Sequence, residues 1–184
     1  FRYIKISLMF LALAVFLNGP WAMKGADVVG NNTYNLIQIT EDDDKGTRVL
    51  RLNHTEASAV YTDNAFRGDQ VFDYVAFVDE NFIAPARDQG PEKSMLILGA
   101  GGFTIGRTDI KNKYVYVDID SALKDVAERQ FLKENLTPNK TFIPMDARAF
   151  LIQSQEKYDF ILVDLFRDPV SMPENVITRE FFEE

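Results

Sequence analysis

Residues 94–120 constrain this chain more than any other stretch. Met95-Leu96-Ile97-Leu98 is a short, continuous apolar run, the pattern of a strand covered on both faces. Gly99-Ala100-Gly101-Gly102 follows at once, and Tyr114-Val115-Tyr116-Val117-Asp118 is a second strand that ends on an acid. Glycine lets a backbone turn sharply and approach a ligand with no Cβ in the way. In an open parallel sheet, ligands bind outside the carboxyl ends of the strands. The pattern therefore reads as a nucleotide site, with Gly99, Gly101 and Gly102 in the loop and Asp118 placed to accept ribose hydroxyls.

The same rhythm continues. Ser121 can cap a helix running through Leu123, Val126, Ala127 and Phe131, and residues 141–145 form a third strand whose Pro144 marks an edge or an end. A helix over 147–153 and the apolar strand 158–164 complete the set. Strands alternating with helices imply right-handed crossovers and a doubly wound parallel sheet, an α/β fold. Asp146 follows the third strand and Asp164 the fourth, so a glycine or an acid stands after each strand. An acid at a strand end often only caps the next helix, as Asp146 can. Four in register are harder to explain that way.

Residues 26–90 read differently. Segments 35–40 and 47–53 alternate with period two around the polar tip 41–46, which predicts a hairpin, and a third short strand is expected over 57–61. Residues 71–84 carry Val71, Tyr74, Val75, Val78 and Phe82 at helical spacing, and Pro85 with the polar stretch 87–93 reads as a linker. A boundary near residue 90 thus separates a small β unit from the α/β domain of 91–184.

Residues 6–22 are apolar for about the length of a bilayer crossing, with Arg2, Lys5, Trp21 and Lys24 as interface flanks. A membrane anchor within 1–25 is the favoured reading; a signal peptide and a buried core helix are the alternatives. The expected location is at a membrane with the domain in the cytoplasm, or outside the cell if the segment is a signal peptide. The chain starts at Phe1 and ends in what reads as an unfinished helix, and further strands of a complete sheet are missing, so a fragment is expected. A net charge of −8 argues against a sequence-independent grip on nucleic acid. Cysteine is absent and His54 is the only histidine, while the acids at 41–44 lack ligand spacing, so no metal is expected.

Taken in order, the motifs resemble those of the spermidine synthase-like (polyamine aminopropyltransferase) family, nearest its membrane-fused bacterial branch. Tyr34-Asn35-Leu36-Ile37 stands for the family's Tyr-Gln-x-Ile, and residues 48–53 for its Arg-x-Leu-x-Leu-Asp/Asn strand. Residues 96–102 resemble its glycine loop, Val117-Asp118-Ile119-Asp120 its Val-Glu-Ile-Asp, and residues 146–151 its Asp-Ala-Arg-x-Phe-Leu. Residues 158–164 match Tyr-Asp-x-Ile-x-x-Asp, and Thr178-Arg179-Glu180-Phe181-Phe182 matches Thr-Arg-Glu-Phe-Phe.

The resemblance implies a Rossmann-like, class I AdoMet-type domain behind a small antiparallel unit, often as a homodimer. It implies decarboxylated S-adenosylmethionine, or S-adenosylmethionine itself, as the nucleoside, and an amine as acceptor. Gly99, Gly101, Gly102, Asp118, Ile119, Asp146 and Ala147 become the expected nucleoside contacts. Tyr34 and Asn35 lie by the methionine-like tail, with Asp164 and Asp168 as catalytic acids. The chain departs from the pattern where the family binds the polyamine: Gly102 replaces an acid, Ala57 a glutamine, and Arg167 precedes an Asp168 that comes one residue late. The span from Gly99 to Asp118 is also shorter than the family's, by about one helical turn. A methyltransferase and a catalytically inactive nucleoside-binding module therefore stand as alternatives. A dinucleotide dehydrogenase stays open too, although Thr104 occupies the sixth position of its glycine fingerprint.

Overall fold

The computed structural model describes residues 27–165 and 172–183. The apolar segment 6–22, Arg167 and Asp168 lie outside them. Four strands, β1 (Val28–Asn31), β2 (Leu36–Asp42), β3 (Thr47–Leu52) and β4 (Thr55–Tyr61), make an antiparallel sheet in sequential order. The expected hairpin is β2–β3, with Ile37 opposite Leu52 and Asp42 opposite Thr47. Its tip turns at Gly46, whose φ of 61° suits glycine. β4 starts two residues before its apolar pattern does. β1 was not foreseen, because four residues are too few to show a period and the strand exists by pairing with β2.

α1 (Asp73–Val78) runs into a π-helical turn (Asp79–Ile83) and on into α2 (Ala84–Asp88). Pro85 does not end the helix as expected. It sits in the first turn of α2, directly after the π-helical turn. The buried stripe runs through Val75, Ile83 and Ala86, while Tyr74 and Phe82, also at helical spacing, are 43% and 45% exposed.

The second sheet holds β5 (Ser94–Leu98), β6 (Lys113–Asp118), β7 (Lys140–Pro144) and β8 (Phe160–Val163), all parallel, in the order β7-β6-β5-β8. The chain moves outward through β6 and β7, then crosses back to the far side of β5. The point where strand order reverses is therefore between β5 and β8. α3 (Leu123–Val126) with a π-helical turn (Ala127–Phe131), α4 (Ala147–Gln153) and α5 (Arg179–Glu183) complete the α/β fold. Ser121 does not cap α3: the N-cap is Ala122, with no side-chain cap, and Asp120 Oδ1 accepts from the Ala122 amide at 3.0 Å in the turn before the helix.

No helix joins β5 to β6: residues 99–112 form successive turns instead. Buried Asp109 pins their far end, accepting from the amides of Lys111 and Asn112, from Asn112 Nδ2 at 2.6 Å and from the Tyr114 hydroxyl at 2.7 Å. Lys140 and Asn139 donate to its backbone carbonyl. These bonds to Asp109 let the turns be buried at this end without a helix.

Alternation along β5 sorts its side chains between two cores. Met95 and Ile97 join a cluster with Tyr114, Tyr116 and Phe131 that also takes in Ile37, Leu50 and Val60 of the first sheet. Leu96 and Leu98 join Val117, Phe150 and Phe181 on the other face. Each leucine so enclosed contributes roughly 1.5–3 kcal/mol. The two sheets thus share one of these cores.

Candidate functional site

Sheet register sets the site. Leu98 pairs with Val117 on one side and Val163 on the other, so the next residues, Gly99, Asp118 and Asp164, stand in a row at the carboxyl edge. Asp118 in turn pairs with Pro144, two residues before Asp146. The row straddles β5 at the reversal point, where a crevice forms in sheets of this kind.

Gly99 has φ 97°, and a Cβ there would collide with the Asp164 carbonyl oxygen. Gly101 also has positive φ and lies against Ser58 Oγ and the Ala57 carbonyl. Gly102 is buried, and a Cβ on it would meet the Phe131 ring and Ser58. Its amide donates to Ser58 Oγ at 2.8 Å. The loop glycines thus serve close packing of the first sheet on the loop. Ala57, standing for the family's glutamine, is at this same edge.

Asp118 braces the loop. Its Oδ2 accepts from the Ala100 amide at 2.9 Å and its Oδ1 from the Asp120 amide at 3.0 Å. The Ile119 amide also holds the carboxylate, and lone-pair capacity remains for a further donor. Burial pushes its carboxyl above the usual range, against the backbone bonds that hold it down. Ile119 beside it is 43% exposed, an apolar surface flanked by two anchored acids. Asp120 is 1% exposed and accepts from Asn32 Nδ2 and Asn35 Nδ2, both at 2.8 Å. Tyr34, half exposed in the β1–β2 turn, gives its amide to Asn32 Oδ1.

At the other end, Asp164 Oδ2 accepts from the Tyr74 hydroxyl at 3.1 Å. Burial again raises the carboxyl, and the tyrosine bond opposes that rise. An open cleft of about 720 Å³ begins here, lined by His54, Thr55, Glu56, Val71, Phe72, Asp73 and Tyr74. Asp146 is exposed and caps α4, accepting from the Ala149 amide at 2.9 Å; Ala147 behind it is buried.

The structure therefore brings Gly99, Asp118, Ile119 and Asp164 to one edge, with Asp146 and Ala147 along the same edge after β7. Tyr34 and Asn35 come to it from the first sheet, through Asp120. Sequence reading missed Tyr74, Asn32 and Ser58. Tyr74 reads from the sequence only as one of the apolar residues at helical spacing, and its hydroxyl alone sets it apart. Asn32 and Ser58 carried no local signal. Among the described residues no cluster of His, Asp or Glu could hold a metal, and no helix is long and apolar enough to cross a membrane.

The missing helix after β5 bears on the dinucleotide alternative. A pyrophosphate sits on the N-terminus of the helix that follows the glycine loop. Turns follow the loop here.

No protein-family model matches the chain. The Probable polyamine aminopropyl transferase of Bifidobacterium longum (strain NCC 2705) is 29% identical over 158 residues, covering 83% of this chain and 32% of that protein. A probable spermidine synthase from Corynebacterium glutamicum ATCC 13032 superposes with a TM-score of 0.70 at 20% identity, over 84% of this chain and 57% of its own. Spermidine synthase from Thermotoga maritima follows at 0.60 and 18%, over 85% and 52%. A spermidine synthase in complex with the transition state analogue AdoDATO gives 0.57 and 18%, over 85% and 51%. The chain spans about a third of the curated relative's length and just over half of these solved chains. By sequence the chain is similar to a probable polyamine aminopropyl transferase, and by architecture, a Rossmann-like parallel sheet behind a small antiparallel one, it shares the fold of spermidine synthases.

Proposed function

We propose that this chain binds a decarboxylated S-adenosylmethionine-type nucleoside and forms the nucleoside half of an aminopropyltransferase. One observation carries the reading: Asp118 and Asp164 flank Gly99 at the sheet's reversal point, one braced by the glycine loop and the other held by Tyr74. In this reading Asp118 takes the ribose hydroxyls, Ile119 covers one face of the adenine, and Gly101 with Gly102 shapes the loop. Asp146 and Ala147 meet the adenine edge, and Tyr34 and Asn35 stand toward the aminopropyl tail.

The transfer forms a carbon–nitrogen bond between a neutral amine and the methylene next to the sulfonium. The carbon–sulfur bond breaks, its electron pair stays on sulfur, and methylthioadenosine leaves uncharged. The amine must lose a proton, and a partly buried carboxylate with a raised pKa is suited to receive it. Asp164 has that role, Tyr74 orients it, and Asp168, outside the described residues, is the second candidate acid. The acceptor need not be a standard polyamine, because Gly102 and Ala57 offer no side chain to hold distant ammonium groups. Residues 6–22 would tether the domain to the cytoplasmic side of a membrane.

Calorimetry with decarboxylated S-adenosylmethionine, S-adenosylmethionine, methylthioadenosine and NAD tests the reading. Preference for the thioadenosines over NAD is the expected result, and binding of none of them would sink it. Product chromatography with a panel of amines then separates transfer from binding alone. The packing of Gly102 against Ser58 and Phe131, with no acid in its place, favours a second reading as a nucleoside-binding module that transfers nothing. Tight methylthioadenosine binding without turnover on any amine would select it.

A further inference from the structure

A continuous hydrogen-bonded relay crosses from the first sheet to the edge of the second. Asn53 Nδ2, at the β3–β4 turn, donates to Asn35 Oδ1 at 2.9 Å. Asn35 Nδ2 donates to Asp120 Oδ2 at 2.8 Å. The Asp120 amide donates to Asp118 Oδ1, and the Ala100 amide to Asp118 Oδ2. Asn32 supports the middle of the relay, giving Nδ2 to Asp120 Oδ1 while its own Oδ1 fixes the β1–β2 turn through the amides of Tyr34 and Asn35.

We propose that Asn35 is a positioning residue, which acts through Asp120 to hold Asp118, Ile119 and the glycine loop in ligand-ready geometry. This rests on the nucleoside reading of that edge, and it gives Asn35 a task distinct from touching the tail. Three features carry it. Both atoms of the Asn35 amide are already engaged, each at a good distance. Asp120 is almost wholly enclosed, and its side chain accepts from Asn32, Asn35 and the amide of Ala122 among the described residues, so losing one leaves a buried carboxyl oxygen with an unmet need. Finally, Ile119 lies between the two anchored acids. Its exposed side chain cannot keep its direction if Asp120 swings.

The pair also explains why an asparagine suits this position. A carboxamide offers a donor to Asp120 and an acceptor to Asn53 at once, which neither an acid nor an alanine does. Exchanging the two partners preserves the pairing: an aspartate at 35 still accepts from Asn53, and an asparagine at 120 can donate to it while accepting from Asn32 and Ala122.

The test uses the full chain in three forms, Asn35→Ala, Asn35→Asp, and Asn35→Asp with Asp120→Asn. Amide hydrogen exchange reads the loop without ligand, and calorimetry reads methylthioadenosine. In Asn35→Ala the amides of Ala100 and Asp120 should exchange about tenfold faster, with Ile97 and Val117 in the strands unchanged. Affinity should fall about tenfold. Asn35→Asp should be worse on both counts, and the double exchange should restore both. Unaltered exchange at Ala100 and Asp120 in Asn35→Ala overturns the proposal. So does faster exchange with full affinity, or a double variant no better than Asn35→Asp. If Asn35→Asp does not fold, recovery of the folded, binding-competent chain in the double variant supports the pairing and continued failure opposes it. A wild-type chain that binds no thioadenosine refutes the nucleoside reading instead, and exchange with rescue then decides the relay alone.

Discussion

Gly99 and Asp164 meet backbone to backbone where the strand order reverses, so closely that a Cβ on Gly99 would overlap the Asp164 carbonyl oxygen. Gly99 also holds φ at 97°, a conformation that side chains rarely adopt. Two penalties therefore coincide at one residue. Gly99→Ala should cost about 2–4 kcal/mol of stability, with strain and overlap both acting. Urea unfolding checks this, and an alanine variant of wild-type midpoint would show that the strand ends are not packed this closely.

Asp118→Ala removes a carboxylate that braces the Ala100 amide and has capacity for two ribose hydroxyls. Methylthioadenosine should bind about 1.5–3 kcal/mol more weakly, the range for hydrogen bonds to a charged group. Calorimetry against Asp125→Ala, an exposed acid paired with Arg129 on the far side of α3, separates this from a general charge effect. Equal affinities would remove Asp118 from the ribose.

The pH response of Asp164 has a definite sign. Burial raises its carboxyl above the ordinary 3.8, so the neutral form is favoured in the fold. Its stability contribution is complete below 3.8 and is lost as pH rises through the raised value. Asp164→Asn should therefore gain stability relative to wild type on moving from acid to neutral pH. Unfolding midpoints over that window test it. Because the Tyr74 hydroxyl opposes the rise, Tyr74→Phe should move the acid limb of any amine-transfer profile to higher pH and lower the rate at neutral pH. A profile that stays in place would break the link between the two residues.

Asp109 titrates in the opposite sense. Burial would raise it, but the Tyr114, Lys111 and Asn112 donors outweigh burial and lower it. Stability from this group is full above 3.8 and falls away as pH drops through the depressed value. Asp109→Ala leaves several buried donors unmet and should cost about 2–4 kcal/mol at neutral pH, with the difference from wild type shrinking in acid. Because the turns replace a helix after β5, the amides of residues 104–112 should lose exchange protection first.

Much of this architecture is legible from local pattern. The apolar run 95–98 specifies a strand buried on both faces, and β5 is one, with Leu96 and Leu98 fully enclosed. The acids after the strands sit where the parallel sheet requires, because residue order along a strand fixes which residue comes next at its end. The helix through Pro85 and the strand β1 were not legible. The first depends on a π-helical turn that shifts the backbone phase, and the second on a partner strand.

What the sequence determined by itself was every strand but β1, and the glycine and acids at the ends of the parallel ones. These follow from side-chain periodicity and backbone freedom, which act over a few residues. Only the tertiary structure decided what holds that edge. Ser58 meets Gly102 across 44 residues of chain, Asn35 meets Asp120 across 85, and Tyr74 meets Asp164 across 90. Hydrogen bonds of this kind need both partners positioned to within a few tenths of an ångström. Nothing in a serine, an asparagine or a tyrosine announces such a partner until the two sheets have packed into their shared core.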